Sequence, residues 1–290
     1  MIDFERSKEI FLKIYPSENL AEKIENYIKK HKTKIKICLA FCNKNRWEPF
    51  LKQKPMMKLA LVYAFLPVVW DRYKEKNISE EIFWDTMSDI KIWIDDHRER
   101  TGEDGLYELH WIMHHMNLNI FKLGRLQYQK LFWYFKTPYN KNGEKISFGD
   151  KIINMHISRG EKLDIEACKK SLQMAKEFFT EHFPEYPNNK FMCHSWLLYP
   201  KNKDFMPENS NILKFAELFD IFEEEETPQQ TYLWLFGVKL KNPDLMKNKK
   251  EMGNYGFIDK LPQNTSLQKK TVEYIKNGGT FGDALGVIIL

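Results

Sequence analysis

The chain has 290 residues, of which 43% are hydrophobic and 14% aromatic, and its formal net charge is +5. A chain of this length forms one large domain or two ordinary ones, and its aromatic content supplies a sizeable core. This composition excludes disorder and fibrous structure, and four cysteines without a CxxC pair exclude a disulfide scaffold and the usual zinc pattern.

The first 118 residues have the apolar spacing of helices. Ser17 precedes apolar residues spaced four apart, which predicts an N-capped amphipathic helix. Pro55 should begin a buried helix that breaks or kinks near Pro67. Ser79 is the predicted N-cap of a third helix, and residues 106–116 predict a fourth. This part of the chain is therefore predicted to be a helical domain, residues 1–118.

The remaining residues, 119–290, mix strand and helix patterns. A half-buried strand or hairpin is predicted at residues 119–135, and strands are predicted at residues 151–158, 191–198, 231–238 and 286–290. Helices are predicted at residues 164–182, at 209–220 and after Thr265, which forms a capping box with Gln268. The acidic run Glu223–Glu226 reads as a solvated turn. The predicted fold class is α+β, a helical domain followed by a mixed α/β domain.

No strong catalytic motif occurs in the sequence: GxGxxG, GxxxxGK[ST], HExxH and GxSxG are all missing. His110 and His114 lie four apart on a predicted helix, so they share a face that can bind a metal. A third ligand is lacking on that element, and we predict no metal site.

Residues 151–182 form a predicted strand–loop–helix unit. Such a unit can bind a phosphate, because backbone N–H groups and the helix dipole favour an anion at the helix start. Arg159 adds a positive charge and Gly160 allows close approach, whereas Glu161 and Asp164 oppose an anion. An ordinary connection with a capping aspartate is the alternative interpretation.

Two other features have both a functional and a structural interpretation. His194 and Ser195 are adjacent in an interior strand, so they face opposite sides and cannot pair with each other. Such residues are more often hydrogen-bonded core groups than catalysts. The lysine-rich segment 29–58 could attract phosphates, but a solvated face is more typical, and nucleic acid is not an expected partner.

Six stretches, taken in order, resemble a known family. They are Leu123–Tyr128, His156–Leu163, Ala167–Phe179, Cys193–Pro200, Glu208–Phe215 and Leu261–Ile288. The family is a bacterial one of acyltransferase-domain proteins, with a helical N-acyltransferase N-terminal domain and a GNAT-like C-terminal domain. The resemblance covers about residues 105–290 well, and it implies a central, mostly antiparallel sheet.

The resemblance also implies where an acyl-CoA would bind. In GNAT proteins the pantetheine arm pairs with a central strand, here 151–158, where that strand splays from the next one, here 191–198. The loop after the central strand binds the pyrophosphate. The residues expected to contact CoA are Ile157, Ser158, Arg159 and Gly160. GNAT loops usually contain [QR]xxGx[GA], whereas two charged residues follow Gly160 here.

Direct transfer of an acyl group to an amine implies roles for particular side chains. His156 or His194 would accept the proton of the amine, because histidine titrates near neutral pH. Ser195 and Tyr199 would donate to the leaving thiolate, and backbone N–H groups would stabilise the oxyanion. The helical domain near Trp111 and its neighbours Trp93, His114 and His115 would cover the acceptor side.

The sequence and the resemblance together predict an acyl-CoA-dependent N-acyltransferase. Acetyl-CoA is the expected acyl donor, no metal is expected, and the acceptor is an amine on a small molecule or peptide. The alternative is a non-catalytic GNAT-like module that binds a small molecule or protein. The absence of a signal peptide or a membrane span predicts a cytoplasmic protein without a membrane partner. The C-terminal strand could pair across a homo-oligomer.

Overall fold

The computed structural model describes residues 2–141, 143–237 and 258–290. The first part is helical, with α1 at Phe4–Ile14, α2 at Glu18–Lys30, α3 at Lys32–Cys42, α4 at Pro55–Glu75, α5 at Glu80–Met87, α6 at Asp89–Thr101 and α7 at Leu109–Met116. Mixed structure follows, with β1 at Ile120–Leu123, β2 at Leu126–Phe132, β3 at Tyr139–Lys141, β4 at Glu144–Ile146, β5 at Lys151–Ile157, α8 at Ile165–His182, β6 at Lys190–Ser195, α9 at Asn211–Ala216, β7 at Asp220–Glu225, α10 at Gln229–Phe236, α11 at Ser266–Lys276 and β8 at Asp283–Ile289. The predicted α+β class is confirmed.

The N-terminal helices begin where their caps predict. Ser17 accepts a hydrogen bond from the N–H of Leu20, and Ser79 accepts one from the N–H of Ile82, each at 3.3 Å. The described residues before β1 form seven α-helices rather than the four that were predicted, because the third predicted helix is divided at Ser88 and α1 and α3 are additional. Apolar spacing locates helical faces but does not show where the backbone interrupts them.

The predicted break at Pro67 does not occur, because α4 continues through this residue. Proline removes one helical hydrogen bond and crowds the preceding turn. Here α4 packs against α1, α2, α3 and α7, and nearly its whole length is buried. Burial of apolar side chains such as Leu59, Val62 and Leu66 outweighs one missing hydrogen bond.

Six strands form one sheet in the order β1-β2-β5-β6-β8-β7. The β5–β6 pair is parallel, whereas β1–β2, β6–β8 and β7–β8 are antiparallel, so the predicted mostly antiparallel sheet is confirmed. A separate hairpin joins β3 and β4. β8 pairs with β6 on one side and β7 on the other. Its backbone groups are therefore engaged within the chain, which corrects the expectation that this strand pairs across an oligomer.

The segment 231–238 is not a strand. Its residues up to Phe236 belong to α10, and Val238 lies outside the described residues. Tyr232 and Phe236, four residues apart, pack in one cluster with Val272 and Ile275 of α11. A short run of aromatic and branched residues suits either a buried strand or a buried helix, so composition alone could not decide between them.

The acidic run at Glu223 is not a turn, because β7 extends through Glu225 at the edge of the sheet. Charged side chains are common on edge strands, where they discourage pairing with other chains. The predicted strand 191–198 ends at Ser195, where the Ser195 Oγ accepts the N–H of Leu197 at 3.2 Å and begins a short 3-10 helix.

The chain divides into two compact units. The first contains Met1–Lys130, His156–Glu161 and Ser171–Glu185, and the second contains Leu131–Met155, Lys162–Lys170 and Tyr186–Leu290. A domain boundary at residue 118 stays a prediction. Among the described residues, no helix combines the length and apolarity needed to cross a membrane.

Candidate active site

His156 lies near the end of β5 in a polar cluster of the first unit. Its Nε2 lies 2.8 Å from Oε1 of Gln129, the β2 residue that reaches it. Its ring meets the ring of Trp111 on α7 edge-on, with 4.8 Å between the centroids. The rings of His114 and His115 also contact Trp111, so three imidazoles surround one indole. We call these residues, together with Asp89 and Asn119, the histidine cluster.

A chain of side-chain amides and imidazoles runs through the histidine cluster. Nδ2 of Asn119 lies 3.1 Å from Nδ1 of His114, and Nε2 of Gln129 lies 3.4 Å from the same nitrogen. Both amide nitrogens are donors, so Nδ1 of His114 is an acceptor. Oε1 of Gln129 is an acceptor in turn, so Nε2 of His156 carries the proton. The lone pair of His156 is then on Nδ1.

The environment keeps His156 uncharged. Burial, together with the nearby His114 and His115, lowers its pKa to about 3, while Asp89 opposes this shift. Burial also lowers the pKa of His114, with contributions from His115 and His110. At neutral pH His156 is therefore a neutral imidazole rather than a positively charged one.

The low pKa predicts a specific loss of stability in acid. The unfolded imidazole titrates near 6.5 and the folded one near 3, so the unfolded chain binds more protons between these values. Stability then falls as pH decreases through this window, by up to about 1.4 kcal/mol per pH unit. Urea unfolding at pH 7, 6 and 5 should show a shallower pH dependence for His156→Gln than for the wild type. If the unfolding free energies of His156→Gln and the wild type changed equally with pH, the lowered pKa of His156 would be contradicted.

Asp89, on α6, is the buried anion of the histidine cluster. Its Oδ2 accepts the indole N–H of Trp111 at 2.5 Å and that of Trp93 at 3.1 Å. Nε2 of the fully buried His115 lies 3.3 Å from the same oxygen. Burial alone would raise the pKa of Asp89, but interactions with His115, Trp111 and Trp93 hold it below its usual range. The carboxylate stays charged and fixes the indole ring against which His156 packs.

The loop after β5 is held from beneath by Arg125, a buried residue of the β1–β2 turn. Its Nη1 donates to the carbonyl oxygen of Ser158 at 3.3 Å, and its Nη2 donates to that of Glu161 at 2.9 Å. The ammonium of Lys122 pairs with the carboxylate of Glu161. A positive charge thus lies under the loop proposed to bind a pyrophosphate, and the sequence interpretation missed it.

Arg159 and Gly160 are both exposed. Arg159 donates from Nη1 to Oδ1 of Asp96 at 2.8 Å, so binding a phosphate would require this pair to open. Gly160 has a φ of +91°, a left-handed conformation that glycine adopts without strain. At the start of α8, Oδ1 of Asp164 accepts the N–H of Ala167 at 2.8 Å, as the predicted cap requires.

The other predicted catalytic residues belong to the second unit. His194 is exposed and its ring lies 6.2 Å from that of Phe135. Ser195 is buried and caps the 3-10 helix that follows it, and Tyr199 is buried with its ring against Gly282. The Ser195 Oγ thus accepts one backbone N–H, and its role as a donor to the leaving thiolate stays a prediction.

The histidines of α7 have different partners. Nδ1 of His110 lies 3.0 Å from Oε2 of Glu108 on the exposed side, while His114 binds amides in the histidine cluster. In the part of the chain that the structure describes, no three potential ligands come together to hold a metal ion.

Sequence reasoning named Trp93, Trp111, His114 and His115 but not Asp89 or Gln129. Asp89 lay inside the single helix predicted after Ser79, where one carboxylate gives no functional signal. Gln129 was assigned to the polar, solvent-facing side of a half-buried strand. In the structure both faces of β2 are buried at this position. A polar residue on a strand buried on both faces is the signal that could have identified Gln129.

Comparison with family models identifies two regions. Residues 120–288 match the GNAT-like C-terminal domain, and residues 9–118 match the N-acyltransferase N-terminal domain. The chain therefore belongs to the family of acyltransferase-domain proteins that have this N-terminal domain and a GNAT-like C-terminal domain. The resemblance inferred from the motifs is thereby confirmed, while a bacterial origin stays a prediction. A comparison with curated proteins gave no match.

Several solved structures share the fold. One, described as an acyltransferase in complex with decanoyl-CoA and teicoplanin, has a TM-score of 0.65 at 23% identity, covering 81% of this chain and 66% of its own. A second, in complex with decanoyl-CoA, has a TM-score of 0.64 at 24% identity, with coverages of 80% and 65%. A mutant acyltransferase in complex with octanoyl-CoA has a TM-score of 0.74 at 20% identity, with coverages of 99% and 88%. The chain thus spans about two thirds of the first two neighbours.

Proposed function

We propose that this chain is an acyl-CoA-dependent N-acyltransferase. The observation that carries the proposal is the parallel β5–β6 pair in a mostly antiparallel sheet, with the loop and α8 of a GNAT-like domain connecting the two strands. The family resemblance assigns acyl-CoA binding to this arrangement. Neighbours of the same fold are described as acyltransferases with acyl-CoA bound, which supports the same donor class here.

The CoA pyrophosphate is proposed to bind at Arg159 and Gly160, and the pantetheine arm along the backbone of Ile157 and Ser158. Gly160 leaves open space beside the loop, since a Cβ added there would meet nothing within 4 Å. Arg125 contributes a buried positive charge to the underside of the same loop. These features support anion binding despite the incomplete GNAT loop motif.

The proposed reaction is direct transfer. The acceptor nitrogen attacks the thioester carbonyl, the new C–N bond forms, and the C–S bond breaks to release the CoA thiolate. The proton of the attacking amine passes to Nδ1 of His156, whose Nε2–H is held by Gln129. The thiolate takes up a proton, for which Ser195 and Tyr199 are the proposed donors, and His194 is the second candidate base.

Acetyl-CoA is the proposed donor, and a primary amine on a small molecule or peptide is the proposed acceptor. One neighbour is described in complex with teicoplanin and another with 10C-teicoplanin, which supports a small-molecule acceptor. We propose a cytoplasmic location, since no disulfide links the cysteines, all of which lie in the described part of the chain. No observation favours the binding-only alternative.

Thiol release tests the proposed activity. Purified protein is incubated with acetyl-, octanoyl- or decanoyl-CoA and a panel of primary amines, and free CoA is measured with a thiol reagent. We expect amine-dependent thiol release with at least one donor, together with an amide product of the matching mass. Failure of every donor and amine, with an established GNAT enzyme active under the same conditions, would count against catalysis.

A further inference from the structure

Asp283, at the start of β8, is a buried carboxylate that the proposed reaction leaves unexplained. Only 7% of its surface is exposed. Its Oδ2 accepts a hydrogen bond from Oγ1 of Thr227 at 3.1 Å. Its Oδ1 has no partner within hydrogen-bond distance and angle, although the nearby side chain of Gln230 helps to lower the pKa of the group. Burying a polar atom without a partner costs about 1–3 kcal/mol, and more when the group is charged. An orphan oxygen of this kind calls for a ligand or another functional reason.

The strand register brings other titratable groups to the same face of the sheet. Glu225 lies opposite Asp283, and both Glu223 and His194 lie opposite Leu285 in the same antiparallel ladder. Side chains directly opposite one another share a face, as do residues two apart on one strand. Glu223, Glu225 and His194 are exposed above the buried carboxylate. We call these four residues the acidic face.

The charges of the acidic face are mostly uncompensated. Burial raises the pKa of Asp283 to about 6, Glu225 raises it as well, and Thr227, His194 and Gln230 oppose this effect. None of the three carboxylates forms an ion pair within the described part of the chain. A cation at Oδ1 would supply both the missing donor and the missing charge, whereas a neutral hydroxyl would supply only the donor and an anion would be repelled.

We propose that the acidic face binds the cationic amine of the acceptor, with the orphan oxygen of Asp283 as its innermost contact. This inference rests on the proposed function, because it identifies the acceptor as an amine that binds as a cation and loses one proton to solvent before its nitrogen attacks the thioester. Glu223 and Glu225 would draw the cation to the surface, and Asp283 would accept its hydrogen bond. The proposal makes Asp283 a binding residue that no motif in the sequence indicated.

Binding of a small diamine tests the proposal without any turnover. The full-length protein is titrated with 1,4-diaminobutane and with the neutral analogue 1,4-butanediol, in the absence of acyl-CoA, by NMR chemical-shift changes. We expect saturable binding of the diamine and none of the diol. Asp283→Asn should weaken binding at least tenfold, whereas the exposed Glu208→Gln should leave it unchanged.

The isosteric Asp283→Asn variant is expected to fold, because it removes a buried charge and keeps the acceptor for Thr227. Its urea midpoint should be equal to or above that of the wild type. Failure of the diamine to bind, or equal binding by Asp283→Asn, would overturn the proposal even if thiol release occurs. Binding that depends on Asp283 without any thiol release would keep the amine site and reject the proposed activity.

Discussion

Replacing His156 by glutamine should lower kcat/KM for acyl transfer by roughly 10²-fold, with acyl-CoA affinity changed less than twofold. A positioned base contributes about 10²–10⁴-fold. The smaller value is expected here because a pKa of about 3 makes this imidazole a weak base, although one that is always unprotonated at neutral pH. Glutamine retains an N–H donor for Oε1 of Gln129, so the cluster should remain intact. The measurement is steady-state thiol release beside calorimetric acyl-CoA binding.

His110→Gln is the matched control, because it changes a histidine of α7 whose side chain is 65% exposed and paired with Glu108. Its kcat/KM should stay within twofold of the wild type. If His156→Gln retained wild-type turnover while binding acyl-CoA normally, His156 would not be the base, and His194 would be the remaining candidate.

Replacing Asp89 by asparagine should lower the free energy of unfolding by about 2 kcal/mol, within the range of about 1.5–3 kcal/mol for hydrogen bonds to a charged group. The change leaves His115 without its charged partner in a fully buried position. Asparagine keeps an oxygen for the indole N–H groups of Trp93 and Trp111, which limits the loss. Urea unfolding at pH 7 provides the measurement.

Glu166→Gln is the control for this change, since it removes a carboxylate that is 80% exposed and paired with Lys169 on α8. Exposed pairs contribute about 0–1 kcal/mol, so its stability should be nearly unchanged. Equal effects of the two substitutions would mean that the Asp89 carboxylate does not organise the histidine cluster.

Local chemistry in the sequence predicted much of the fold. The caps at Ser17, Ser79 and Thr265 are confirmed because a cap depends only on residues within one turn. The β5 strand and α8 are confirmed because their periodicities are clear over seven and 18 residues. Residues 231–236 form a helix where a strand was predicted. Their composition suits both structures, and packing against α11 favours the helix.

The candidate site was predictable only in part. His156 and Trp111 could be named from their elements, but the bonds that define their chemistry join residues far apart in sequence. Gln129 reaches His156 across 27 positions, and Asp89 receives the indole N–H of Trp111 across 22. Neither spacing follows a helical or strand period, so no pattern in one sequence could reveal them. The orphan oxygen of Asp283 became visible only once its neighbours were placed.

Calorimetric titration with acetyl-CoA, decanoyl-CoA and CoA, comparing the wild type with Arg159→Ala, tests the central claim of acyl-CoA dependence most directly. Arg159→Ala should not disturb folding, because Asp96 keeps its pair with Arg100 at 2.9 Å. We expect micromolar binding by the wild type, weakened about tenfold by the substitution, a loss of roughly 1.4 kcal/mol. The absence of both measurable heat and thermal stabilisation at millimolar ligand would contradict an acyl-CoA-dependent function.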